Sequence, residues 1–472
     1  MYKVVRRHFK QTETIMRKYI TICILLLTIL LGCKPSKNYD LALSNAKVLD
    51  VKTGKVTDNQ TILILNGRIE DIVSSSNSYK SNKTIDAKGK LVTPGFIDTH
   101  IHPTDVFGDY ENAPKILVKD SLDLFRKKLS DQYLKYGTTT VLTMGQPEKW
   151  LRSLMEWQKT PASNYVDFYL CGGALISKDN RIPYIGHTEV VTPEKARLKI
   201  IEYHNLGLKH LKLYFRLKEP EFSVCYKTAD SLKMNVYGHI GDFNPEYLTM
   251  NHTLNIGLVN YEHIATIPNS IITTDADWEK LNKQFNENFG ELNTEARMLE
   301  FFLEQFRFID EYKKSEINSF IKNLAAKKGT FSTTIHRIYE QFEPTYFTIP
   351  KDTTLSEKQR ERCRENFAIL MKYTKMMYNN GIEIRLGSDM PNGGKVNISE
   401  LIILSKYNFS ISDIFRIASY NGAKAMGIEN ETGSIEKGKK ANLILWDKNP
   451  FENSQNFFGE MTVIKDGQII KK

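Results

Sequence analysis

The chain has 472 residues, 41% hydrophobic and 25% charged. That is enough apolar material for one large decorated barrel or two to three ordinary domains, and it excludes a disordered or fibrous class. The formal net charge is +10, but residues 1–32 alone hold six Lys/Arg against Glu13. Half of the excess sits in that segment, and the rest is too thinly spread to make a nucleic-acid face.

The N-terminus reads as targeting. Arg17-Lys18 forms a basic start, Tyr19 to Leu31 is apolar, and Gly32-Cys33 follows. The run is short for a bilayer crossing and fits a secretory signal. Its ending, L-L-G-C, resembles a bacterial lipobox, in which Cys33 is lipidated and anchors the mature chain to a membrane of the cell envelope, on the periplasmic or cell-surface side. Met16 serves as a start as well as Met1 does. The alternative is an uncleaved anchor with an incidental cysteine. Cys171, Cys225 and Cys363 are widely separated and form no disulfide framework. They read as small buried residues, although one pair could oxidise.

Residues 40–92 read as short strands, with Asn66-Gly67 as a hairpin turn. The C-terminus repeats this pattern in 441–447 and 461–472, with Asp466-Gly467 as the turn. Two strand-rich ends around an alternating middle predict one small β domain assembled from both termini. In the middle, strands are expected at 96–102, 137–145, 166–175, 208–215, 234–241, 258–264, 329–335 and 382–389, with amphipathic helices between many of them. One helix opens at Thr192-Pro193, a helix-start signal. Eight alternating units predict a parallel α/β barrel rather than an open sheet. The long span 267–328 is expected to be a helical insertion near the mouth. The division is therefore 1–33 signal, 34–92 plus 430–472 β domain, and 93–429 barrel.

A barrel of this kind builds its site where the strands end. There this chain places His100 and His102 on the first strand, Lys212 on the fourth, His239 on the fifth, His263 on the sixth and Asp389 on the eighth. Alternate residues of a strand share a face, so His100 and His102 point the same way. One strand-end histidine is unremarkable, but four of the ten in the chain fall on these ends, each among apolar neighbours where an unpaired polar group is costly.

These motifs resemble the amidohydrolase superfamily, particularly its imidazolonepropionase-like and prolidase-like metal hydrolases. P-G-F-I-D-T-H-I-H (94–102) is similar to the first-strand signature. G-H-I (238–240), E-H-I (262–264) and G-S-D (387–389) are similar to later ligand strands, and 418–450 resembles the closing segment. The resemblance covers residues 40–472. It implies a distorted (β/α)8 TIM barrel with a small β-sandwich, and two divalent ions, usually zinc. His100, His102 and Asp389 would hold one ion and His239 and His263 the other. Lys212 would bridge both as a carbamate. A cationic amine cannot ligate a cation, whereas burial favours the neutral amine that carbon dioxide can carbamylate.

The reaction implied is hydrolysis of an amide, peptide-like or cyclic amide C–N bond of a small molecule by a metal-bridged hydroxide, with Asp389 as general base and acid. A lactonase or phosphotriesterase using the same centre is the alternative, and a non-catalytic envelope binding lipoprotein another. Asp98 can support the site or cap a turn; Tyr214 and Arg181 are possible contacts for a substrate carboxylate. The closing motif departs from the superfamily's usual A-D-L in having Ala441-Asn442-Leu443.

Overall fold

The computed structural model describes residues 16, 18, 37–108, 112–178, 185–241, 246–291, 297–345, 348–350, 352 and 354–470. The targeting segment around Cys33 and the loop residue Arg181 lie outside them.

Both chain ends enter one eight-stranded sheet. Along it run Gln468–Ile469, Met461–Lys465, Leu443–Trp446, Leu91–Pro94, Asn38–Leu49, Val56–Leu65 and Arg68–Ser74, with Lys80–Asp86 also paired to Asn38–Leu49. Its hairpins turn where expected. Asn66 and Gly67 take φ of 52° and 74°, and Asp466 and Gly467 take 47° and 72°. Both positions of each turn lie in the left-handed region, as a two-residue hairpin matched to strand twist requires. The sheet folds into a small sandwich over its own apolar core, which includes Leu41, Leu43, Ile62, Ile64, Leu443 and Ile464.

The middle of the chain forms two parallel sheets. Seven strands lie in the order His187–Glu189, Ala174–Ile176, His210–Leu213, Asn235–Gly238, Asn260–Tyr261, Thr330–Ser332 and Glu383–Arg385. The other three are Phe96–Ile101, Thr138–Thr143 and Asp167–Leu170. The sheets meet where Thr99 N donates to Leu386 O (2.9 Å) and Asp389 N to His100 O (2.8 Å). The first and last expected strands are therefore neighbours, and the architecture is a distorted, TIM-barrel-like α/β fold. One strand differs from expectation. The run 166–175 breaks at Gly172-Gly173, and an additional strand, His187–Glu189, follows. A Cβ on Gly172 would lie 2.6 Å from the Tyr203 ring, and one on Gly173 2.0 Å from Thr188 Oγ1. The glycines let this helix and this extra strand close onto the chain.

The helix Pro193–Leu206 is capped by Thr192 Oγ1, which accepts from Lys195 N (3.2 Å), and ends at left-handed Gly207. The described residues of the span 267–328 hold three helices, Asp275–Phe289, Met298–Tyr312 and Lys314–Ala326. Buried Glu304 ties it to the long helix Glu357–Asn379 by accepting from Arg362 Nε (2.9 Å) and Asn366 Nδ2 (2.8 Å). At the opposite end from the strand termini, Asp167 accepts from Lys440 (2.9 Å) and Lys465 (3.0 Å) of the terminal sheet. Asn442 donates to the same carboxylate (3.3 Å) and accepts from Asp466 N (2.9 Å). An aspartate at 442 would set two carboxylates face to face, which accounts for the departure from A-D-L. Cys171, Cys225 and Cys363 are all buried and free.

Candidate metal centre

His100, His102 and Asp389 converge: each offers one donor atom, and these lie within 4.8 Å of one another. The Nε2 atoms of His100 and His102 approach the same Asp389 Oδ1, at 3.5 and 3.2 Å. Each ring is held from behind through Nδ1. His102 Nδ1 donates to Gly145 O (3.2 Å), and His100 Nδ1 donates to Glu262 Oε2 (2.6 Å). Holding Nδ1 turns both Nε2 atoms toward the carboxylate. The close approach depends on Gly387, where a Cβ would sit 2.9 Å from the His100 Cβ.

The other expected residues stand beside this group. The His263 ring centre is 4.6 Å from that of His100 and 4.3 Å from that of His239. His263 Nδ1 lies 3.0 Å from Thr334 Oγ1 and 3.9 Å from Asp389 Oδ2. Lys212 is 1% exposed and, among the described residues, its Nζ has no hydrogen-bond partner. All six expected positions thus share one buried neighbourhood at the strand ends. Three residues there hold positive φ without being glycine: His263 at 61°, Thr334 at 47° and Asp389 at 49°. Such backbone costs of order 1–3 kcal/mol per residue and persists where its surroundings impose it, typically at functional sites.

The charge states suit a cation. Burial, reinforced by the charge of Lys212, lowers the His100 pKa to about 4. Burial and neighbouring His and Lys charges likewise depress His239 and His263 far below the usual range. On His102 burial opposes charge, but the Asp389 hydrogen bond and carboxylate outweigh it and raise the pKa. Burial also works against Asp389, yet His100, His102 and His263 hold it well below the usual carboxylate range. Burial brings Lys212 down to about 8. Neutral His100, His239 and His263, an ionised carboxylate that a cation would share with His102 once that ring gives up its proton, and a buried amine close to neutrality form a donor set that fits divalent metal.

Among the neighbours, Tyr214 and Asp98 were singled out from sequence, whereas Glu262, Arg385, Arg337 and Phe215 were not. Glu262 and Arg385 form a buried ion pair at 2.6 Å beneath His100, both 0% exposed. A charge inside each apolar strand was the available signal, but their pairing across 123 residues was not legible. Arg337, half-exposed, brings Nη1 to 3.7 Å from Asp389 Oδ2. Tyr214 and Phe215 pack their rings 5.0 Å from that of His239. Asp98 is buried and accepts from His100 N (3.1 Å), Ser388 N (3.1 Å) and Asn397 Nδ2 (3.0 Å). It therefore braces the first strand against the Ser388-Asp389 turn.

Comparison with known proteins agrees with this geometry. The sequence pattern of the amidohydrolase family matches residues 346–470. An imidazolonepropionase of Staphylococcus aureus (strain JH9) is 22% identical over 449 residues, covering 88% of this chain and 90% of its own. Among solved structures, a prolidase complexed with N-methylphosphonate-L-proline superposes with a TM-score of 0.62 at 16% identity, over 92% of this chain and 99% of its own. An ochratoxinase from A. niger gives 0.62 at 14% identity, over 91% and 95%. At these identities the solved structures speak for the fold alone. The chain is thus similar to the amidohydrolase family over residues 346–470 and to an imidazolonepropionase over most of its length, and its His100–His102–Asp389 cluster offers donors for a metal ion of the kind a hydrolase uses. In fold it is similar to a prolidase.

Proposed function

We propose that the protein is a metal-dependent hydrolase that cuts an amide, peptide-like or cyclic amide C–N bond of a small molecule, using two divalent ions in a (β/α)8 barrel spanning 93–429. The observation carrying this reading is the meeting of His100, His102 and Asp389 donor atoms within 4.8 Å beside a buried, unpartnered Lys212 amine. His100, His102 and Asp389 would hold one ion and His239 and His263 the other, with Lys212 carbamylated to reach both. Imidazole-rich donors suit zinc. When bound, such ions polarise a carbonyl and bring the pKa of water to about 7.

The chain's own groups supply the rest. Asp389, ionised and facing the pocket, takes the proton of the attacking water and passes it to the departing nitrogen, so that water and amide become acid and amine. Arg337 places positive charge beside Asp389 at the mouth, suited to an anionic group on the substrate. Tyr214 and Phe215 give an apolar wall beside His239.

Metal analysis and a substrate panel test the reading. About two ions per chain, with turnover of N-acyl amino acids, dipeptides or cyclic amides, are expected. Turnover confined to lactones or phosphotriesters would move the reaction to the alternative class; no metal and no turnover would leave a binding scaffold. We further propose that Cys33 is lipidated and anchors the enzyme to the envelope. Metabolic labelling with a fatty acid that persists in Cys33→Ala would rule that out.

A further inference from the structure

We propose that Glu262, clamped by Arg385, is a positioning residue that fixes the ring of His100 so that Nε2, not Nδ1, faces Asp389. The proposal rests on the metal reading above and goes beyond it by assigning a function to two charges buried beneath the ligands.

Glu262 and Arg385 are both 0% exposed. A buried ion pair is weak support for stability, since apolar residues of the same volume often do as well or better. Here each atom of the pair has a separate task. Glu262 Oε1 accepts from Arg385 Nη2 at 2.6 Å, and Oε2 accepts from His100 Nδ1 at 2.6 Å. Arg385 is in turn immobilised by three other strands. Its Nη1 donates to Thr99 Oγ1 (2.9 Å), its Nη2 to Tyr261 O (3.0 Å) and its Nε to Thr330 Oγ1 (3.3 Å). Thr99 and Thr330 stand on strands that flank the last one, and Glu262 follows the strand beyond Thr330. The guanidinium is therefore a fixed plate under the site, and the second oxygen of the carboxylate on it, Oε2, reaches His100 Nδ1 at 2.6 Å with only a long contact to Arg385 Nη1 (3.5 Å).

An ionised carboxylate has no proton to offer, so the ring nitrogen facing it must be N–H. Nδ1 carries the proton and Nε2 the lone pair. His102 is held through Nδ1 by a neutral carbonyl, Gly145 O, instead. The stronger device is thus spent on the more deeply buried ring, which is 1% exposed against 10%. A carboxylate behind a ligating imidazole also raises its basicity, and losing such a partner typically costs 10–100-fold in metal affinity.

Two variants test this by chelator competition for zinc, each measured well below its own melting temperature. Glu262→Gln leaves Arg385 buried without its counter-charge and is expected to lower both stability and zinc affinity. Glu262→Gln/Arg385→Gln removes both charges and is expected to recover melting temperature while zinc affinity stays about 10–100-fold weak. Wild-type zinc affinity in either folded variant would overturn the assignment and leave the pair a purely structural one. A wild-type protein that takes up no zinc would overturn the metal reading itself, a result separable from the first because it needs no variant.

Discussion

The two halves of the proposed metal centre are built differently. The His100–His102–Asp389 half is complete as encoded: three donor atoms within 4.8 Å, an ionised carboxylate, and rings held from behind by Glu262 and Gly145. The His239–His263 half has two neutral imidazoles with ring centres 4.3 Å apart and, instead of a second carboxylate, the unpartnered amine of Lys212. An ammonium repels a cation, so on the proposed reading the first half would bind metal with protein groups alone, whereas the second would need the amine converted into an anion. On that reading ligand type, not proximity, separates a self-sufficient half-site from one that depends on a modification.

The largest expected effect comes from breaking the complete half. Asp389→Asn keeps the shape of the side chain but removes the base, and kcat on whichever substrate the panel identifies should fall by about 10²–10⁴-fold. Unchanged turnover at wild-type metal content would remove Asp389 from proton transfer. Next comes Lys212→Ala, which should strip the dependent half selectively. Metal content should drop from about two ions per chain to about one, with the remaining ion lost only when His100 or His102 is also replaced. Two retained ions would mean that the halves do not differ as described.

The smallest effect sharpens the comparison through pH. Burial brings Lys212 from 10.5 to about 8, which disfavours the ammonium, so the neutral amine gains as pH rises through about 8 rather than through the ordinary lysine range. Protein stripped of metal and exposed to labelled bicarbonate should accordingly show a carbamate carbon signal that grows between about pH 7 and 9 and is absent from Lys212→Ala. A signal that first appears near pH 10 would place the amine in an ordinary environment.

The same contrast between local and assembled features governs what could be read in advance. The terminal sheet was legible because its signals are local: Asn66-Gly67 and Asp466-Gly467 can take the left-handed turn that each hairpin needs. The helix at Pro193–Leu206 was legible from Thr192-Pro193 for the same reason. The break in the run 166–175 was not, because Gly172-Gly173 is explained by Tyr203 and Thr188, which approach from elsewhere in the chain. The six expected site positions stood out as polar residues closing apolar strands. Glu262 and Arg385 carry the same mark, yet no periodicity says that Glu262 reaches back 162 residues to hold His100. Arg337 was not singled out either, since half-exposed arginines are common and only its approach to Asp389 gives it meaning.

By itself the sequence determined the type of most elements, the two hairpin turns, and which strand ends carry imidazole, amine and carboxylate, because these follow from backbone preference and from the cost of polar groups among apolar ones. Only the tertiary structure decided which nitrogen of each ring faces Asp389, which carboxylate stands behind His100, and that Lys212 is left without a partner. Those are properties of distances between segments hundreds of residues apart, and they arise when parallel strands bring their ends side by side.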